Sequence, residues 1–121
     1  MDEMLKTRLG ILRDAGEITD EIYSAIREFI EDFEKKYKVN MTEDNASMFI
    51  THMAMALARI KKGEAVNPMD DILLEDIKGN DVYDELPEFY EKIESKLNIE
   101  IPESEKGFIA LHACSLLINE K

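Results

Sequence analysis

One run of residues limits what this chain can fold into. Ile22, Ile26, Phe29, Ile30, Phe33 and Tyr37 step at three- and four-residue intervals, while Glu28, Glu31, Asp32, Glu34 and Lys35 fall between them. Helical geometry collects the first set on one stripe and the second on the opposite side, over about five turns. A strand would need alternation at every second residue, and none is present. Such a stripe forms a stable helix only when other apolar elements cover it, so the rest of the chain must supply those partners.

The remaining segments read as helices of the same kind. Leu5, Leu9 and Leu12 repeat at helical spacing over residues 2–15, with Gly10 weakening the middle and Gly16 ending the run. Thr19 is placed to cap the helix of the long stripe, with Ile18 before it as a staple partner. Val39 to Met41 form a connector, and Thr42 caps a third helix whose first turn carries Glu43 and Asp44. That helix runs to about Lys62 and stops at Gly63. Its Ala54, Ala56 and Ala58, with Met48, Met53 and Met55, make it slim and suited to close packing. Asn67 and Pro68 read as cap and first position of a short helix through Ile72, Leu73 and Ile77, closed by Gly79. Asn80 or Asp81 then caps a helix with Val82, Tyr83, Leu86, Phe89, Tyr90, Ile93 and Leu97 as its apolar set. Pro87 lies inside it and should kink or break it. After a turn at residues 98–102, a last helix covers roughly Glu103 to Asn119, with Phe108, Ile109, Leu111, His112, Leu116 and Ile118 as its apolar residues. The expectation is all-α: a compact bundle of about five main helices plus a short N-terminal helix.

Composition narrows the function classes. With 27 acidic and 15 basic side chains the formal net charge is −12, which repels phosphate backbones and anionic lipid. No basic cluster offsets this, so neither direct nucleic-acid binding nor a membrane role is expected. A lone Cys114 cannot form an internal disulfide. The start of the sequence lacks the blocks of a signal peptide, and no apolar run could span a bilayer. A reducing, cytoplasmic setting is the expectation.

Chemistry, if present, centres on the two histidines. His52 lies on the third helix and His112 on the last, each inside a half-buried helical run. Seven residues turn a helix by about 700°, so Asn45, His52 and Arg59 form one polar line on a surface of Ala, Met, Ile and Phe. Glu105 stands in the same relation to His112, and Ser115 is on the turn after it. A lone histidine on an apolar helix is more often a satisfied boundary residue than a reactive one. Imidazole is nonetheless a good nucleophile at neutral pH and can accept a phosphoryl group. Two histidines and one cysteine without short-range ligand spacing make no metal site. Cys114 points away from His112 and reads as a small apolar residue. No Gly-rich phosphate loop or nucleophile elbow is present, so neither cofactor nor catalytic residues are expected, and the chain reads as a non-enzyme.

Taken together, Thr51-His52 with Arg59, Gly63, Asn67-Pro68, Ile99-Glu100-Ile101-Pro102, Glu105 and Phe108 to His112 resemble the phosphotransferase-system regulation domain, or PRD. The resemblance spans residues 17–119, which makes 1–16 an N-terminal helical extension and 17–121 the PRD-like domain. It implies a self-associating helical bundle in bacterial transcription control, attached in the family to an RNA-binding antiterminator or a DNA-binding activator module. It implies phosphorylation of His52 and His112 by phosphocarrier or sugar-specific proteins of the phosphotransferase system, with altered dimer packing switching the output. Asn45, Arg59, Glu105 and Ser115 are candidate phosphate or partner contacts from helix geometry. The sequence shows one copy of the domain and no output module, and Pro87 interrupts a helix usually continuous in the family. Three readings therefore stand: a domain acting in trans on a separate output regulator, a fragment of a longer regulator, or a relative keeping the fold without the switch. The competing functions are a binding or dimerisation module with unmodified histidines and, less favoured, a small ligand-binding bundle.

Overall fold

A computed structural model describes residues 1–64, 75–76, 79 and 81–119. Among these residues the chain is built from helices alone: α1 (Glu3–Asp14), α2 (Asp20–Tyr37), α3 (Glu43–Lys61), α4 (Asp81–Glu85), α5 (Pro87–Leu97) and α6 (Glu103–Asn119). The all-α expectation holds. The short helix expected from Asn67 and Pro68 through Ile72, Leu73 and Ile77, and Asn80 as a cap, lie outside the described residues.

The helix boundaries follow local chemistry. Asp2 caps α1 by accepting from the Leu5 amide, Thr19 caps α2 by accepting from Ile22, and Thr42 caps α3 by accepting from Asn45. Each removes an orphaned amide from the first turn. Gly16 and Gly63 follow α1 and α3 with φ of 79° and 78°, a left-handed backbone that glycine adopts without a Cβ clash. Lys38 and Asn98 take the same conformation, at φ 54°, to close α2 and α5. Pro87 breaks the expected helix and starts a new one. It occupies the first turn of α5, where the missing amide hydrogen has no intrahelical acceptor to lose. Leu86, at the joint, is completely buried.

The long stripe of α2 is the centre of the bundle. Ile22, Ile26, Phe29, Ile30 and Phe33 are all buried, and α2 packs against α1, α3 and α5. Leu5 and Leu9 of α1 share this core. Arg8 of α1 pairs with Glu43 on the first turn of α3, and that guanidinium holds the Glu43 carboxyl below its ordinary range. Phe33 meets the rings of Phe29, Tyr37, Phe49 and Phe89 at centroid distances of 5.6, 4.8, 6.4 and 6.0 Å. These rings belong to α2, α3 and α5, so one aromatic cluster locks three helices. α6 packs on α3 and α4. It is tied to α5 by the Tyr90 hydroxyl, which donates to the Lys106 carbonyl at 3.0 Å.

Three apolar assignments differ from the pattern. Leu111 and Ile118 face outward on α6, where Ile109, Ala110, Ala113, Leu116 and Leu117 form the buried side. Met48 is exposed on α3, in contrast to the buried Met53. Helices with apolar residues on most sides give no unique stripe, and the partner helix selects which residues turn inward.

Phe33→Ala should cost about 3–5 kcal/mol, because the side chain is fully buried and the ring cluster cannot collapse onto the space without shifting three helices. Urea denaturation checks this; a loss below about 1 kcal/mol would show that the cluster is not the organising contact.

Candidate functional site

The packing of α6 on α3 brings the two histidines together. Their ring centroids are 5.8 Å apart, although sixty residues separate them in the chain. His52 is held from the other side by Phe108, at 5.0 Å between centroids. His112 stacks on Phe49 at 5.4 Å with only 8° between the planes. Phe49 also touches Phe33 and Phe29, so the site rests directly on the aromatic core.

Glu105 is the surprise of the arrangement. Its Oε1 lies 2.5 Å from Nε2 of His52, across the α3–α6 contact. The carboxylate is 2% exposed, and it is the buried charged residue among those described. Burying a carboxylate without a partner is costly, and the imidazole is the partner that offsets that cost here. Helix geometry related Glu105 to His112 on its own helix, whereas its hydrogen-bonding partner is His52. A sequence signal for its burial does exist: Glu105 is in register with Ile109, Ala113 and Leu116, the inward side of α6.

His52 opens on a cleft of about 250 Å³ lined by Thr51, His52, Met55, Ala56, Arg59, Glu105 and Phe108. Arg59 is exposed at its edge, two turns along from His52 as the spacing required. Thr51 Oγ1 is buried with no hydrogen-bond partner among the described residues. The walls are supplied by Met55, Ala56 and Phe108, which the sequence places among the apolar helix residues and not among the site residues.

The other candidates separate. The Asn45 side chain closes the capping box at the start of α3, accepting from the Thr42 amide at 2.8 Å and donating to the Asn40 carbonyl at 3.0 Å. It lies on the polar line, but the N-terminus of the helix claims it, and it is not in the lining of the cleft. Ser115 is exposed on α6 and likewise outside that lining. Cys114 is half-buried, and burial pushes its thiol pKa up. Among the described residues no group of three or more His, Cys, Asp or Glu is placed to hold a metal, and no helix is long and apolar enough to cross a membrane.

The two rings sit in different electrostatic surroundings. Burial pushes the His112 pKa down, the neighbouring His52 adds to that, and the Glu105 carboxylate opposes both. His112 is thus biased toward the neutral form, with Phe49 against its face.

Comparison with known proteins identifies the family. A family model described as the PRD domain matches residues 27–115, a span that contains both histidines, Arg59 and Glu105. The uncharacterized protein YhfY of Escherichia coli (strain K12) is 25% identical over 105 residues, covering 87% of this chain and 88% of that protein. No solved structure matches.

The His112 surroundings give a signed pH dependence. A histidine whose folded pKa lies below its ordinary value of 6.5 contributes stability that is present above that value and lost as pH falls toward the folded pKa. The difference in unfolding free energy between the protein and His112→Phe should therefore hold steady above pH 6.5 and shift against the unsubstituted protein as pH is lowered from 6.5 toward about 5, in paired denaturant titrations. A difference that stays flat across this window would contradict the burial of a neutral ring.

Proposed function

This chain belongs to the PRD domain family, and from that premise we propose that it is a regulatory domain that senses the state of a sugar phosphotransferase system through phosphorylation of His52. The observation that carries the reading is the open cleft in which His52, backed by a buried carboxylate, faces outward beside Arg59. A phosphoryl group brings charge near −2 and strong acceptor oxygens. Arg59 supplies a planar set of donors at the cleft edge suited to receive it. His112 is the second acceptor by family resemblance, but it is absent from the cleft lining, so His52 takes the phosphoryl group first.

The protein acts in this reading as a receiver, with the catalytic work done by the phosphocarrier or sugar-specific protein that docks on it. The added charge falls at the contact between α3 and α6, and on a chain whose net charge is already −12. Repulsion there alters self-association and thereby an output regulator of transcription, in the manner of bacterial antiterminators and activators.

A small ligand-binding site is the second reading, favoured by the convergence of His52 and Glu105 on a concave surface. Size weighs against it. A cleft of about 250 Å³ falls below the range of roughly 300–1,000 Å³ in which small-molecule sites lie, yet accommodates a phosphoryl group.

Incubation with phosphoenolpyruvate-charged general phosphocarrier should add the mass of one phosphoryl group to the intact protein. His52→Ala should lose that increment while His112→Ala keeps it, and sedimentation velocity should show a changed association state on modification. Equal labelling of the protein and His52→Ala, or no label at all, would falsify the assignment.

A further inference from the structure

The pairing of His52 with Glu105 determines more than the orientation of a ring. An ionised carboxylate accepts hydrogen bonds and donates none. A carboxylate oxygen this close to a ring nitrogen takes the ring N–H as its donor. With Glu105 Oε1 2.5 Å from Nε2, the proton of the neutral imidazole is on Nε2, and Nδ1 holds the lone pair. We propose that Glu105 is a positioning residue that makes Nδ1 of His52 the phosphoryl-accepting atom. This inference rests on the reading of His52 as a phospho-acceptor and deepens it.

The alternative atom is blocked by the same geometry. Phosphorylation on Nε2 would place phosphorus where the Glu105 oxygen sits. The carboxylate is 2% exposed and packed on the inward side of α6, so displacing it would disrupt the packing around a buried charge. Two anions would also be forced together in a site of low dielectric. Attack through Nδ1 leaves the buried pair intact.

The step balances without any further reactant. The Nδ1 lone pair forms a bond to phosphorus as the N–P bond of the donor breaks, and the donor nitrogen leaves with the bonding electrons. The His52 ring becomes an imidazolium that still carries its Nε2 proton toward Glu105. The carboxylate stabilises that positive charge as it develops, as a carboxylate does for any imidazole that turns cationic during a reaction. The departing nitrogen takes up a proton from solvent, while the Nε2 proton of the phosphorylated ring stays with Glu105, so the pair survives the transfer. His112 has Phe49 against its face instead and, among the described residues, no hydrogen-bonded acid, which separates two otherwise similar side chains.

Phosphoramidate tests this, because it phosphorylates histidine directly and needs no protein donor. The protein, Glu105→Gln and Glu105→Ala are labelled with ¹⁵N-histidine, confirmed as folded by circular dichroism, and reacted at equal donor concentration. Phosphorus–nitrogen couplings then report which ring atom carries the group. The expected result is an Nδ1 adduct on His52 of the unsubstituted protein. Glu105→Gln retains an amide oxygen that accepts the same hydrogen bond, so it should keep the Nδ1 position but react roughly tenfold or more slowly. Glu105→Ala should be slow and give adducts on both nitrogens. An Nε2 adduct in the unsubstituted protein, an unreactive His52, or a Glu105→Ala variant matching the unsubstituted rate and position would each overturn the proposal. An Nδ1 adduct from phosphoramidate with none from the phosphocarrier would leave this inference standing and remove the proposed function.

Discussion

A buried carboxylate fixes how this bundle must close. Glu105 sits on the inward side of α6, in register with residues that belong to the core. Removing its charge from water costs on the order of several kcal/mol unless a hydrogen-bonding partner is in place. That partner is His52 on α3, so the two helices have one rotational setting in which both the apolar side of α6 and its one buried charge are satisfied. The contact between α3 and α6 is therefore specified by a polar pair laid over apolar packing. Apolar residues surround α6 closely enough that hydrophobicity alone would tolerate other rotations, as the exposure of Leu111 and Ile118 demonstrates.

The core reaches this site through a continuous series of rings. Phe33 of α2 contacts Phe49 of α3, and Phe49 stacks on His112 of α6. His112 meets His52, which meets Phe108. Rigid planar groups in contact leave little slack, so the position of the His52 ring is inherited from the helix that the strongest sequence stripe builds. That ring lines the cleft together with Arg59, Glu105 and Phe108. This arrangement gives one imidazole aromatic neighbours, a carboxylate at Nε2 and access to a cleft.

Much of the frame was legible in the sequence because it rests on local rules. Thr19 and Thr42 cap the helices they were placed to cap, Gly16 and Gly63 follow the helices they were placed to end, and the α2 stripe is buried throughout. Pro87 separated α4 from α5 for the reason its chemistry dictates. What failed to show involves partners distant in sequence. Spacing along one helix tied Glu105 to His112, but its bond is to a ring fifty-three residues away. Asn45 was read as part of a functional line because periodicity cannot distinguish a side chain facing a cleft from one folded back onto its own helix end. Met48, Leu111 and Ile118 were read as core, although an apolar residue on a helix with no single stripe has no inward direction until its neighbour is known.

The same limit explains why two histidines in matching contexts turn out unequal. Each lies in a half-buried helical run, and the sequence offers no reason to prefer either. The fold gives His52 an acid at one ring nitrogen, a cationic neighbour in Arg59 and access to a cleft. It gives His112 an aromatic face and a desolvated position that favours the uncharged ring. A nucleophile is made by such surroundings, since the free imidazole is the same in both cases. With the rings 5.8 Å apart, charge placed on one is felt by the other at short range and low dielectric. The pair is thus one site with two unequal members, of which His52 lines the cleft.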